Sequence, residues 1–141
     1  MGQVDKIKFA KNVAWLKPFV HAARYKVPLK KIKSVRGYQV RKGLSEVTYG
    51  STTYFKKSAW RKAHICLLIR DRRTGKLEPS RCETILLTLI HELAHVVHWE
   101  HTPEHFKLQG ELVILFYDLL KKSGIKDYMT RHPQKYFQDL K

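Results

Sequence analysis

Thirteen consecutive residues constrain this chain more than any others: Leu89-Ile90-His91-Glu92-Leu93-Ala94-His95-Val96-Val97-His98-Trp99-Glu100-His101. On an α-helix, side chains four apart share a face about one turn apart, so His91 and His95 can aim both imidazoles at one ion. Glu92 projects roughly 100° away, beside them. Ile85, Leu86, Leu87, Leu89, Ile90, Leu93, Ala94, Val96 and Val97 make the surrounding helix apolar, which predicts a half-buried His/Glu cluster. Buried polar groups need partners, and a metal ion is one. A surface helix with two solvated histidines, the plainer reading, does not account for that apolar setting. The residue types are those of zinc chemistry: imidazoles for the metal, and a carboxylate to take a proton from water acidified towards a pKa of about 7. H-E-x-x-H on a helix is the arrangement used by zinc proteases.

A catalytic zinc usually takes three protein ligands and leaves one position open, so a third must come from elsewhere. On a straight helix His98 would share the face of His91 but lie about 10 Å further along the axis. Thr102-Pro103-Glu104 reads as the cap and first turn of a new helix, which places His101 in the bend between the two. Geometry therefore favours His101. His105, one turn into the second helix, is the alternative, and Glu111 is the third candidate.

His91-Glu92-Leu93-Ala94-His95, followed by His98 and His101, resembles the WLM family of zinc metallopeptidases, relatives of the SprT-type proteases. The likeness covers roughly Ala63 to Val113, taking in Ile65-Cys66-Leu67-Leu68-Ile69-Arg70, similar to the family's strand before the active-site helix, and Thr88-Leu89-Ile90 leading into the motif. The resemblance implies a zincin-like fold, His91, His95 and His101 as zinc ligands, Glu92 as catalytic base, and protein substrates bound or crosslinked to DNA. It also implies that the stretch around Leu67 to Arg70 is the sheet edge that pairs with extended substrate. His98 stands where metzincins carry glycine, and histidine tolerates a left-handed turn better than most residues. The related families place an aromatic residue four positions after the third histidine; here that position is His105, with Phe106 one later, which keeps His105 open as a ligand. No Cys-x-x-Cys pair follows, so a zinc ribbon for DNA contact is not expected.

The chain has 141 residues, 43% of them hydrophobic, which predicts one folded domain over 1–141. Its net charge is +16 and its pI about 10.0, a balance that attracts polyanions, nucleic acid before anionic membrane. No apolar run is long enough to span a bilayer, and Met1-Gly2-Gln3-Val4-Asp5-Lys6 does not read as a signal peptide or a myristoylation site. Cys66 and Cys82 are expected to be free thiols in a reducing compartment. An intracellular protein follows, nuclear in a eukaryote or of viral origin.

From Val4 to about Tyr25 apolar residues recur at helical spacing, predicting an amphipathic helix bent at Pro18. Arg24 to Lys42 contains no acidic residue. Val35, Tyr38 and Val40 suggest a strand with Gly37 as a bulge, and Val47 to Phe55 a second extended stretch with Gly50 at a turn. Lys30, Lys31, Lys33 and Arg36, with Lys56, Lys57, Trp60 and Arg61, are the candidate nucleic-acid contacts, cations for phosphate and an aromatic for base stacking. The mixture of rings and cations over 54–62 favours single-stranded DNA, although Tyr54, Phe55 and Trp60 serve equally well as core. Ala63 to Arg70 is the clearest strand. Ser80-Arg81-Cys82-Glu83 reads as a capping box opening the motif helix, which runs to about Trp99. A second helix spans Pro103 to Lys122 with Gly124 as its left-handed cap and Leu108, Leu112, Leu115, Phe116 and Leu119 as its apolar stripe. In the tail, Met129 reads as core rather than as a Met-turn, and Tyr128 or Tyr136 could donate to an oxyanion.

The predicted fold is therefore α+β, a small antiparallel or mixed sheet packed on an active-site helix and a following helix. The favoured function is a zinc metalloendopeptidase acting on DNA-bound or DNA-crosslinked proteins, as in DNA repair. The alternative is a nucleic-acid-binding or virion-associated protein whose zinc is structural, with His98 or His105 as fourth ligand.

Overall fold

The computed structural model describes residues 2–38, 50–54, 62–69 and 81–124. Expectations placed on Lys56, Lys57, Trp60, Arg61, Ser80 and the tail beyond Gly124 lie outside these residues.

Among the described residues four strands form one sheet: β1 (Lys8–Phe9), β2 (Ile32–Tyr38), β3 (Gly50–Tyr54) and β4 (Ala63–Leu68), in the order β1-β2-β4-β3. β1, β2 and β4 run parallel and β3 is antiparallel to β4, so the sheet is mixed. Alternation along β4 sets its two faces. Ala63, Ile65 and Leu67 are buried against the helices, and His64 and Cys66 point the other way and are half-buried.

Two strand expectations need correction. The edge role assigned to Leu67 and its neighbours fails, because β4 is hydrogen-bonded to β2 on one side and β3 on the other; among the described residues the strand that ends the sheet beside the motif helix is β3. Gly37 is not the bulge, since it pairs in register with Leu67. The register shifts between Ile32 and Ser34, so Lys33 is the extra residue. Gly50 likewise pairs with Leu67 as a strand residue instead of turning the chain.

The N-terminal segment is not one bent helix. Short 3-10 turns at Gly2–Lys6 and Lys11–Leu16 flank β1, and the first α-helix, α1, is only Lys17–Ala22. Ala10 N–H donates to the Val35 carbonyl at 3.0 Å, and that strand pairing interrupts the helix. Pro18 opens α1 because its missing N–H has no partner to lose in a first turn.

α2 (Arg81–Val97) carries the motif and α3 (Pro103–Ser123) follows. Thr102 caps α3 by accepting from His105 N–H at 3.3 Å, and Gly124 ends it at φ +65°, as the Pro and Gly punctuation predicts. On α3, Leu108, Leu112, Phe116 and Leu120 are buried, while Leu115 and Leu119 pack at the margin. Phe116 meets Phe19 of α1 edge-on at 5.5 Å, and Trp15 meets Phe19 at 6.2 Å. One continuous core joins these helices to Val35, Ala63, Ile65 and Leu67 on the inner face of the sheet. Cys66 and Cys82 are not joined in a disulfide. Among the described residues no helix is long and apolar enough to cross a membrane.

Candidate metal centre

α2 places His91 and His95 one turn apart on a half-buried face, with Glu92 beside them and only 4% exposed. The helix closes with His98 N–H on the Ala94 carbonyl at 2.8 Å, and Thr102 N–H then bonds the Glu100 carbonyl at 2.9 Å as the chain doubles back. No non-glycine residue among those described has positive φ, so this turn uses no left-handed residue at His98. It returns His101 to the face of His91 and His95.

The three Nε2 atoms form a near-equilateral triangle: 3.1 Å from His91 to His95, 3.0 Å from His95 to His101 and 3.1 Å from His101 to His91. The opposite ring nitrogens explain the orientation. His95 Nδ1–H donates to the His98 carbonyl at 3.2 Å, and His91 Nδ1–H to Gln109 Oε1 at 3.0 Å. A carbonyl can only accept, so the proton of neutral His95 sits on Nδ1 and its Nε2 presents a lone pair; Gln109 sets His91 likewise. Lone pairs converging this closely repel unless a cation lies between them. Zinc bonds of about 2.0–2.1 Å in a tetrahedron separate nitrogens by roughly 3.3 Å, close to the observed edges. The donor set and its spacing therefore fit zinc.

His105 belongs to the same group, whose candidate ligand atoms all lie within 4.8 Å of one another, but it sits beneath the triangle. It is fully buried, its Nε2–H donates to the His91 carbonyl at 3.2 Å, and its ring lies 4.3 Å from that of His95. Burial holds it below the usual histidine range, against the His91 bond, which favours the protonated form. Glu111, the third candidate, is instead paired with Lys26 at 2.9 Å. His98 is half-buried outside the group.

Glu92 is held from the sheet. Thr52 of β3 donates its hydroxyl to Glu92 Oε1 at 2.7 Å, tying the end strand to the motif helix. A cleft of about 230 Å³ opens there, lined by Thr52, Glu92, His95 and Trp99. Trp99 is 58% exposed with its ring 6.4 Å from that of His95, so it stands at the cleft mouth. On the far side Phe106 stacks on His101 at 6.2 Å.

With this geometry in place, comparison of sequences gives a decisive match: the WLM domain matches residues 11–137. The chain belongs to the WLM family. That family is zinc-metallopeptidase-like with a zincin-like fold, in agreement with the mixed sheet and motif helix seen here. No curated protein and no solved structure matches the chain.

In this WLM domain, His91, Glu92, His95 and His101 are brought together as their spacing suggested, with His105 against them. The candidate nucleic-acid residues Lys30, Lys31, Lys33 and Arg36 are all exposed and lie apart from the cluster, the first two on a 3-10 turn and the others on β2. Three residues of the site carried no sequence assignment. Gln109 had a signal, since it lies four residues beyond His105 on one face of a predicted helix. Trp99 stood inside the motif stretch without a role. Thr52 had no local signal at all, because its contact depends on sheet pairing.

Proposed function

We propose that this WLM domain is a zinc-dependent endopeptidase acting on proteins bound or crosslinked to DNA. The observation that carries the hydrolytic reading is the triangle of His91, His95 and His101 Nε2 atoms with Glu92 held beside it at the floor of an accessible cleft. Zinc on these nitrogens would supply a Lewis acid that polarises a carbonyl and lowers the pKa of water towards 7. Thr52 holds Oε1 of Glu92 and leaves the other carboxylate oxygen to take the water's proton and return it to the leaving amine. An extended substrate laid along β3 would reach this carboxylate, because Thr52 links that strand to Glu92. Gln109 and the His98 carbonyl keep the imidazoles of His91 and His95 in the metal-facing tautomer.

The DNA half of the proposal rests on the net charge of +16 and the exposed cations of the 3-10 turn and β2, and it carries with it an intracellular setting. A closed, structural zinc site would need a fourth ligand. His105, whose Nε2 bonds the His91 carbonyl and whose buried Nδ1 has no hydrogen-bond partner, is the candidate for that place, but such a site would have no use for Glu92.

The test is cleavage of a basic DNA-binding protein, with and without single-stranded DNA, by wild type, metal-stripped protein and Glu92→Gln. Glu92→Gln is expected to keep its zinc and lose about 10²- to 10⁴-fold in rate. Cleavage requiring zinc and Glu92 and rising with DNA supports the whole proposal. Cleavage indifferent to DNA removes its second half, and stoichiometric zinc without cleavage of any substrate would favour the structural site.

A further inference from the structure

Trp99 sits in the turn that carries the third histidine, and the backbone on both sides of it is committed. The His98 carbonyl accepts from His95 Nδ1–H at 3.2 Å, and the Glu100 carbonyl accepts from Thr102 N–H at 2.9 Å. These main-chain bonds close the turn and place no demand on the side chain at position 99. The indole is nevertheless a large apolar group left 58% exposed, which forgoes the stabilisation that burial would bring. Other exposed rings are engaged or remote: Tyr25 packs under the Arg24 guanidinium at 4.2 Å, Phe106 stacks on His101, and Tyr117 lies on α3 more than two turns beyond Phe106. Trp99 instead forms a wall of the 230 Å³ cleft that it shares with Thr52, Glu92 and His95.

The polar part of that lining is already occupied. Thr52 donates its hydroxyl to Glu92 Oε1, His95 turns Nδ1 to the His98 carbonyl and Nε2 to the histidine triangle, and the remaining Glu92 oxygen is the one hydrolysis needs. What is left to receive a side chain of the substrate is the indole. Charge narrows the choice. An acidic side chain would meet the Glu92 carboxylate, and a lysine or arginine would lie beside the metal-binding triangle of a chain with net charge +16. An apolar side chain incurs neither repulsion and displaces water from the ring. The cleft holds the volume of about seven waters, which suits one large side chain.

We propose that Trp99 is a specificity-determining residue, whose indole receives a large apolar side chain, aromatic or long aliphatic, next to the scissile bond. The inference rests on the peptidase reading and adds the substrate class to it. Side chains of this kind are buried in folded proteins, so the subsite selects chain that has been locally unfolded. Thr52 and Trp99 would then divide the work at one cleft: the strand residue orients the carboxylate, and the turn residue chooses the bond.

The experiment measures binding first. Zinc-loaded Glu92→Gln is titrated with fluorescent Gly-Ser peptides that carry one central Phe, Leu, Ala or Arg. The Phe and Leu peptides should bind about 10- to 100-fold more tightly than the Ala peptide, as expected for burying one large side chain. Adding Trp99→Ala should reduce that ratio to about twofold or less, and Trp99→Phe should restore most of it because a ring is again present. Ile114→Ala, which removes another exposed apolar side chain, on α3, should leave the ratio as it was. Cleavage sites of wild type in an unfolded basic protein, mapped by mass spectrometry, should cluster beside Phe, Tyr, Leu and Met and scatter in Trp99→Ala. No advantage of Phe over Ala, tightest binding of the Arg peptide, or a preference that survives in Trp99→Ala would overturn the proposal. Failure of the peptidase reading has a separate signature: a Trp99-dependent preference in binding with no cleavage by wild type, which leaves the subsite standing.

Discussion

The hydroxyl of Thr52 reaches Glu92 across forty residues of sequence and sets the direction of a nearly buried carboxylate. A hydrogen bond to a charged group contributes about 1.5–3 kcal/mol, and about 1.4 kcal/mol is a factor of ten in rate. Thr52→Val should therefore slow peptide cleavage about ten- to a hundredfold with zinc content unchanged, and Thr52→Ser should restore most of the rate. Equal slowing in both variants would assign the effect to strand packing. Gln109 acts at the other end of the site. Gln109→Leu removes the acceptor of His91 Nδ1–H and should weaken zinc affinity about 10- to 100-fold in competition with a chelator, with cleavage persisting at saturating zinc. Unchanged affinity would show that helix geometry alone holds His91. At this scale the sequence was informative where partners are one helical turn apart, as with His91 and His95. It was ambiguous for His101 against His105, because both lie beyond a bend whose angle depends on how α3 packs.

α3 supports the centre through residues on one face: His105 bonds the His91 carbonyl, and Gln109 the His91 ring. Its position is set in turn by Phe116, which is fully buried against Phe19. Phe116→Ala should destabilise the fold by about 3–5 kcal/mol, seen as a large fall in the denaturation midpoint; a change below about 1 kcal/mol would mean that the α1–α3 contact is dispensable. Both long helices were legible from apolar periodicity, and for α3 the Thr102 cap, Pro103 and Gly124 agree with it at the ends. The N-terminal segment was misread because Ile7, Ala10 and Val13 satisfy a helical period, whereas the backbone of Lys8 and Phe9 is taken by β2. Periodicity cannot register a hydrogen-bond partner that arrives more than twenty residues later.

Across the whole molecule, positive charge is spread widely and yet meets a specific half-buried group in His64. Its folded-state value lies below the ordinary 6.5, first through burial and then through Arg36 and Lys33. The stability it contributes is therefore complete above about pH 6.5 and is lost as pH falls through the folded value, where the unfolded chain binds the proton more readily. In an NMR titration His64 should titrate below 6.5 in wild type and higher in Lys33→Gln/Arg36→Gln. An unchanged midpoint would leave burial as the sole cause. The sequence by itself determined the chemistry available, since H-E-x-x-H on an apolar helix, the capped second helix and the basic balance are all local or compositional properties. Tertiary structure decided which histidine completes the triangle, that β3 and not β4 supplies the hydroxyl beside Glu92, and that the register shift at Lys33 puts Ser34 and Arg36 in line with His64 and Cys66. Each of those outcomes depends on strand register or helix crossing, where a shift of one residue or a few degrees changes which side chains meet while local preferences stay the same.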